Sequence, residues 1–215
     1  INEAKEGNVV GIGLYGDNIH LGYGSRGGWQ FKQQMNIISD SDGNVLKEIN
    51  GKPALEFYKE KLNGKLHTLP SDALKYPLMI SDVYSEQNLV RTVLSIDEEE
   101  QTMTFAGDMP IASGVQFLEA TDDQLIEGAR SAASVTKGRL GDNPSQLAFL
   151  ISCVGRKLVL KDRVHDEVKA VHEILGLNTQ ITGFYSYGEL SPSEVSGRCE
   201  LLNQTMTIVT ISEDC

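Results

Sequence analysis

The chain is expected to fold as an α+β domain, loosely α/β, in which helices pack on a mixed, largely antiparallel sheet. Short apolar runs separated by Gly-Asp and Asp-Gly turns fill its first half, as β-hairpins require. The two longest helical stripes both lie in the second half. Strand–helix–strand units, which build parallel sheets, are correspondingly few.

Residues 9–26, VVGIGLYGDNIHLGYGSR, read as two short strands around a Gly-Asp-Asn turn. Residues 35–51 repeat the pattern, with Asp42-Gly43 as the hairpin signal. In PALEFYKEKL (53–62), Pro53 suits the first helical position, and Leu55, Tyr58 and Leu62 share a face. After a loop holding Pro70 and Pro77, LVRTVLSI and QTMTFAG flank an acidic turn as another hairpin. GVQFLEA (114–120) is a further strand. Thr121-Asp122-Asp123 starts a helix, because the threonine caps free N–H groups and the acids suit the positive dipole end. The helix carries Leu125, Ile126, Ala129, Ala132 and Ala133, and its small residues let it lie close to a sheet. QLAFLISCV is a buried strand. DRVHDEVKAVHEILG (162–176) is a second helix, striped by Val164, Val168, Val171 and Leu175 and stopped by Gly176. TQITGFYSYG and LNQTMTIVTIS supply the last two strands. The best seam lies near Gly51, which divides the chain into residues 1–51 and 52–215.

A hydrophobic content of 40% is too high for a disordered chain. A net charge of −11 repels phosphate backbones and anionic lipid, so neither nucleic acid nor a membrane surface is an expected partner. The longest apolar run, at 147–154, falls well short of the ~20 residues that a membrane span needs. No secretory leader is legible. Cys153, Cys199 and Cys215 form an odd set without a close pair, which suits a reducing compartment, the cytoplasm. Residues 97–127 hold nine carboxylates and no Lys or Arg. They read as a solvated face with an exposed turn, or as a docking surface for a basic partner.

GIGLYG (11–16) matches a dinucleotide fingerprint by letter, but no helix follows to seat a pyrophosphate. Glycines in closely packed strands account for it. SDSDGN (39–44) begins like a calcium loop, yet Val45 stands where that loop needs glycine. His165 and His172 lie ~10.5 Å apart along one helix, too far to share a metal ion. No metal site is expected, although one histidine suffices as the axial ligand of a haem. Asn203-Gln204-Thr205 is a formal glycosylation sequon placed on a strand. Cys153 ends a buried strand beside Arg156, which would lower its thiol pKa, but a buried small hydrophobe is the preferred reading, with no histidine near in sequence to serve as a base. No acid–base pair of defining spacing accompanies Cys153 or Glu189, so catalysis is not expected.

The stretch GFYSYGELSP (183–192) draws the candidate site together. In a strand, Gly183, Tyr185 and Tyr187 point one way, and Gly183 leaves room beside Tyr185. Arg156 follows a buried strand and a glycine, so it is expected to emerge at the same sheet end as Glu189. Tyr185, Tyr187, Glu189 and Arg156, with Cys153 nearby, would then form an amphipathic pocket. The guanidinium would take a ligand carboxylate and the Glu an ammonium, as an amino acid offers. The competing reading is a core strand whose hydroxyls find backbone partners.

These residues resemble a known family. SCVGRKLVL, ITGFYSYGELSP and LLNQTMTIVTISE are similar to the C-terminal part of FIST domains. FAGDMPIASGVQFLEATDDQLIEGARSAA resembles the segment that precedes it there. GNVVGIGLYGDNIHLGYGSRGGWQ and SDGNVLKEINGKPALEFYKEKL resemble the end of the N-terminal part and the start of the C-terminal one. The resemblance implies that residues 1–51 are a β-rich piece of the N-terminal part and 52–215 the C-terminal domain. It also implies a sensory domain of a signalling protein that binds a small ligand, amino acids among the candidates, and acts on an output domain or protein. A haem-binding nitric-oxide sensor and a docking module without a ligand are the alternatives. A full FIST region is longer than this chain, so much of the N-terminal part is expected to lie outside it.

Overall fold

A computed structural model describes residues 6–32, 34–81, 88–193 and 197–214. Besides a separate two-stranded antiparallel ribbon near its C-terminal end (189–192 with 199–202), the chain builds two principal sheets. Strand β1 (Ile19–Arg26) belongs to the smaller one, and β2 (Gln30–Phe31), β3 (Asn36–Asp42), β4 (Val45–Ile49) and β5 (Lys52–Pro53) belong to the larger. Helix α1 (Ala54–Lys61) follows, then β6 (Leu78–Ser81), β7 (Asn88–Arg91), β8 (Val93–Asp97), β9 (Thr102–Phe105) and β10 (Gly114–Glu119). Next come α2 (Asp122–Leu140), β11 (Leu147–Cys153), α3 (Val154–Leu160) and α4 (Val164–Leu175). Strands β12 (Gln180–Ser186), β13 (Glu189–Pro192), β14 (Cys199–Leu202) and β15 (Met206–Glu213) complete the fold. This is the α+β architecture, with mostly antiparallel pairing, that the turn and stripe patterns predict.

The larger sheet runs β7-β6-β10-β3-β4-β9-β8, with β2 added to β10 and β5 to β4. All its pairs are antiparallel. Its two outermost strands, β7 and β8, are separated in the chain by Thr92 alone, so the sheet must roll until its ends meet. Inside the roll lie Ile38, Leu46, Met103, Phe105 and Phe117, joined by Leu55, Phe57, Tyr58 and Leu62 of α1 and its C-cap. The Asp42-Gly43 turn closes the β3–β4 hairpin as expected. The LVRTVLSI run, expected as one strand, breaks at Thr92 and serves both ends of the roll.

The smaller sheet runs β1-β15-β11-β12, with β11 and β12 parallel and the other pairs antiparallel. Helices α2 and α4 cover one face through Ala129, Ala132, Ala133, Val171 and Leu175. The opposite face leaves Leu21 and Phe184 exposed. Thr121 caps α2 in a reciprocal capping box with Gln124, which satisfies two otherwise unpaired N–H groups. Gly176 ends α4 at φ 109, a conformation that costs glycine nothing.

One expectation at the N-terminus is corrected. Of the two strands read over 9–26, the second forms as β1, whereas residues 8–16 take no regular structure and are exposed. The glycines of GIGLYG therefore do not pack in strands. The glycines that do are Gly22 and Gly24 of β1. A methyl group at Gly22 would stand 2.3 Å from the carbonyl oxygen of Thr136, and one at Gly24 would stand 2.8 Å from that of Ala132. Because both obstacles are helix backbone, nothing flexible can yield. Gly22→Ala is expected to destabilise the fold by about 1–3 kcal/mol, read as a lowered urea midpoint with an unchanged slope. A neutral result would mean that α2 is free to lift off β1.

Candidate functional site

The two sheets meet at residues 203–205, between β14 and β15. Asn203 and Gln204 are fully buried, and Gln204 sits at φ 59. The Asn203 side-chain oxygen accepts from the Thr92 amide where the roll closes. Gln204 Nε2 donates to the Leu74 carbonyl, and the Gln204 carbonyl accepts from Trp29 Nε1 and Arg156 Nη1. Thr205 Oγ1 donates to Glu189 Oε2 at 2.9 Å. The Asn-Gln-Thr run, read from sequence as a sequon on a strand, is thus the knot between the sheets, and its buried asparagine is closed to glycosylation.

Arg156 does not emerge at a sheet edge, which corrects the sequence expectation. Val154–Leu160 forms helix α3, and its turn carries the Arg156 side chain into the interior, where it is 0% exposed. Nε and Nη2 bind Glu167 Oε1 at 2.6 and 2.5 Å. Nη1 donates to the carbonyls of Gly27 and Gln204, and Nη2 to that of Leu125. Four guanidinium hydrogens are thereby donated within the protein and the remaining Nη2 hydrogen lies in the ion pair with Glu167, so none is left for a ligand carboxylate. Glu167, on α4, is equally buried and also accepts from Ser152 Oγ. Sequence reasoning missed Glu167, although a signal existed. It lies four residues before Val171 on the buried stripe, where an acid needs a cation.

Glu189 is also inside, 3% exposed, at the start of β13. Ser186 Oγ donates to its Oε1 at 2.6 Å, and Thr205 serves Oε2. Burial pushes its carboxyl up to about 7; the two hydroxyls and the Arg156 charge pull the other way without prevailing. A carboxyl so enclosed offers no oxygen to a ligand ammonium.

The two tyrosines part company. Strand β12 ends at Ser186, so the alternation that would align Tyr185 with Tyr187 stops before the second ring. Tyr185 is half-buried, with Lys157 Nζ 5.0 Å from its ring centroid. It borders a cavity of about 290 Å³ with Gly183, Ile181, Ser152 and Val168. Tyr187 is exposed and borders a different cavity of about 280 Å³ together with Cys153. Of the five expected residues, the structure therefore brings two to one hollow. It buries Arg156 and Glu189 and assigns Tyr185 to a second hollow.

The cavity beside Cys153 lies at the seam. Pro70, Leu74, Thr92, Val93, Leu94 and Ala106 come from the side of the rolled sheet, and Cys153, Val154, Gly155 and Leu158 from the smaller sheet and α3. Tyr187 stands over it. At Gly155 a methyl group would meet the Gln204 side-chain amide at 2.8 Å, so that amide would have to shift. Two buried polar atoms near this wall, Thr92 Oγ1 and Gln204 Oε1, have no hydrogen-bond partner in the protein. Burial raises the pKa of the Cys153 thiol, Glu189 adds to the rise, and nearby backbone amides only reduce it. Burial thus disfavours the thiolate that activation by Arg156 would need. A wider hollow beside Phe31, Lys32 and Lys61 opens broadly to solvent and gathers no buried polar group.

None of the four histidines borders the seam cavity. Among the described residues, no group of three or more His, Cys, Asp or Glu is placed to hold a metal ion. No described helix is long and apolar enough to cross a membrane. The acidic stretch is partly paired within the protein. Glu98 pairs with Lys59, Glu119 with Lys65 and Asp123 with Arg163, each on a different element. Cys199 is exposed, and Cys215 lies outside the described residues.

Fold and seam together define an α+β domain with a ligand-sized apolar hollow between two sheets. The chain belongs to the FIST family: the FIST C domain matches residues 54–192 and the FIST N domain residues 2–52. FIST domains are recognised as sensory domains of signalling proteins. The chain is 22% identical over 189 residues to an uncharacterized protein of Mycobacterium bovis and to one of Mycobacterium tuberculosis. The match covers 83% of this chain and 47% of each relative, so the chain spans about half the length of the curated relatives it matches. No solved structure matches it.

Proposed function

We propose that this chain is a sensory module that binds a small molecule in the seam cavity and passes the binding on to an output signalling domain or protein, without catalysing a reaction. The observation that carries the reading is the position of the cavity. Its walls come from both sheets, so an occupant would bear on residues 203–205, where the sheets are tied. A volume of about 280 Å³ with apolar walls suits a compact ligand. Absence of catalysis is supported by the raised thiol of Cys153 and by the enclosure of Glu189. The haem alternative has no histidine at the cavity in its favour, and in the docking alternative Glu98, Glu119 and Asp123 are already paired with cations of this chain.

A thermal-shift screen with compact aromatics, aliphatic alcohols and amino acids tests the reading. A ligand at a hundred times its Kd is expected to stabilise the protein by about 2.7 kcal/mol. Leu158 is 55% exposed at the cavity mouth, so Leu158→Trp should fill the hollow without entering the core. The variant is expected to fold with an almost unchanged Tm and to lose the ligand shift. Retention of a full shift in Leu158→Trp would move the site elsewhere, and no shift with any compound would remove the reading.

A further inference from the structure

We infer that the ligand of the seam cavity is an uncharged molecule carrying one hydrogen-bonding hydroxyl or N–H group, and that Thr92 is the residue that selects it. The inference rests on the proposed binding role and adds the chemical class of the ligand.

Charge is excluded by the walls. No residue that borders the cavity is an Asp, Glu, Lys, Arg or His. The nearest buried cation, Arg156, has every N–H engaged by Glu167 and three carbonyls. The nearest buried acid, Glu189, is enclosed by two hydroxyl donors. An ammonium or carboxylate entering this hollow would shed its water and meet no counter-charge, which is the costliest form of burial. A free amino acid carries both groups and is disfavoured twice.

The polar group on the ligand is implied by Thr92. This residue is 6% exposed and borders the cavity. Its backbone is fully used: the amide donates to Asn203 Oδ1, and the carbonyl accepts from the Ala106 amide. Its hydroxyl alone has no partner. A valine of nearly the same shape would fill the position without leaving a polar atom unpaired, so the hydroxyl has no evident structural use. The oxygen itself is buried, so the side chain has to turn about its Cα–Cβ bond to present it; a hydroxyl both donates and accepts, and a ligand O–H or N–H can then pair with it. The neighbouring Gln204 Oε1, also unpartnered behind Gly155, accepts only. A ligand that brings a hydrogen to donate therefore suits both atoms, whereas one that only accepts suits the hydroxyl alone.

Matched probes separate the possibilities. Phenol and indole offer a donor; anisole and 1-methylindole have the same ring systems without it; phenylalanine and tryptophan add the zwitterion. Calorimetric titration is expected to show phenol and indole binding about tenfold more tightly than their methylated partners, with the amino acids weakest. Thr92→Val is expected to erase the tenfold preference, keep anisole binding, and raise the Tm of the empty protein. Equal binding of phenol and anisole to the unmodified protein would overturn the role of Thr92 while leaving the cavity as a binding site. Tighter binding of phenylalanine than of phenol would overturn the uncharged class. Failure of all six probes, in a protein that Leu158→Trp leaves unaffected toward every compound screened, would overturn the site itself.

Discussion

Arg156→Ala is expected to destabilise the protein by about 3–5 kcal/mol, a large share of the 5–15 kcal/mol that holds a domain of this kind together. The physical reason is what the substitution leaves behind. Glu167 would remain at 0% exposure with its cation gone. The carbonyls of Gly27, Gln204 and Leu125 would each lose a donor inside the protein. Those four partners belong to the end of β1, the knot before β15, α2 and α4, so one guanidinium joins the helices to the sheet they cover. Urea unfolding measures the loss. The paired change Arg156→Met with Glu167→Leu removes both charges and should recover part of it, because no lone buried ion then remains. Recovery should be incomplete, since the carbonyls of Gly27, Gln204 and Leu125 would each still lack the hydrogen bond that Arg156 supplies. A cost below about 1 kcal/mol for Arg156→Ala would show that the network is not holding the seam. An Arg156 variant that fails to respond to a ligand would report a loosened fold, not a lost ligand contact.

Stability should also fall as pH rises from about 5 to 8, and Glu189 should be the cause. Its carboxyl is raised from 4.5 to about 7 in the folded protein, chiefly by burial. An acid whose folded pKa lies above its unfolded value favours the folded state while protonated. That contribution is complete below 4.5 and is lost as pH climbs through about 7. The full difference is on the order of 3 kcal/mol. The charged group that opposes the rise is Arg156 of α3; Ser186 and Thr205 oppose it by hydrogen bonding, and Cys153 of β11 is the nearby thiol whose own pKa the ionised carboxylate raises. Glu189→Gln keeps the shape and the hydrogen-bonding capacity toward Ser186 and Thr205 and cannot ionise. It should match the unmodified protein at pH 5, exceed it at pH 8, and flatten the profile between. Parallel profiles for the two proteins would assign the pH dependence to other groups.

Local chemistry made much of the fold legible. Asp42-Gly43 and Pro53 announced a hairpin and a helix start, and Thr121-Asp122-Asp123 announced α2, because turn and cap geometry depend on a few adjacent residues. The alanines of α2 foretold its close approach to a sheet, and the structure supplies the partner, the glycines of β1. The failures occurred where identical local patterns have two outcomes. VVGIGLYG alternates like a strand yet stays outside any sheet, since no neighbouring strand pairs with it. VGRKLVL was too short to show a stripe, so α3 and the inward turn of Arg156 went unseen. In the candidate site, Cys153 and Tyr187, both named from the sequence, border one hollow, but Thr92 and Gln204 carried no local sign. Their importance comes from hydrogen-bond partners, or the lack of them, across more than a hundred residues of chain.

The sequence by itself determined which segments are strands and helices over most of the chain, the FIST kinship, and the aromatic and acidic residues around 183–189, because each depends on contiguous residues. Only the tertiary structure decided that Arg156 pairs with Glu167, that Glu189 is sealed by Ser186 and Thr205, and that the hollow opens between two sheets beside Thr92. The reason is that burial and pairing belong to the assembled chain. A guanidinium is a receptor or a rivet according to how many of its hydrogens distant carbonyls have already taken.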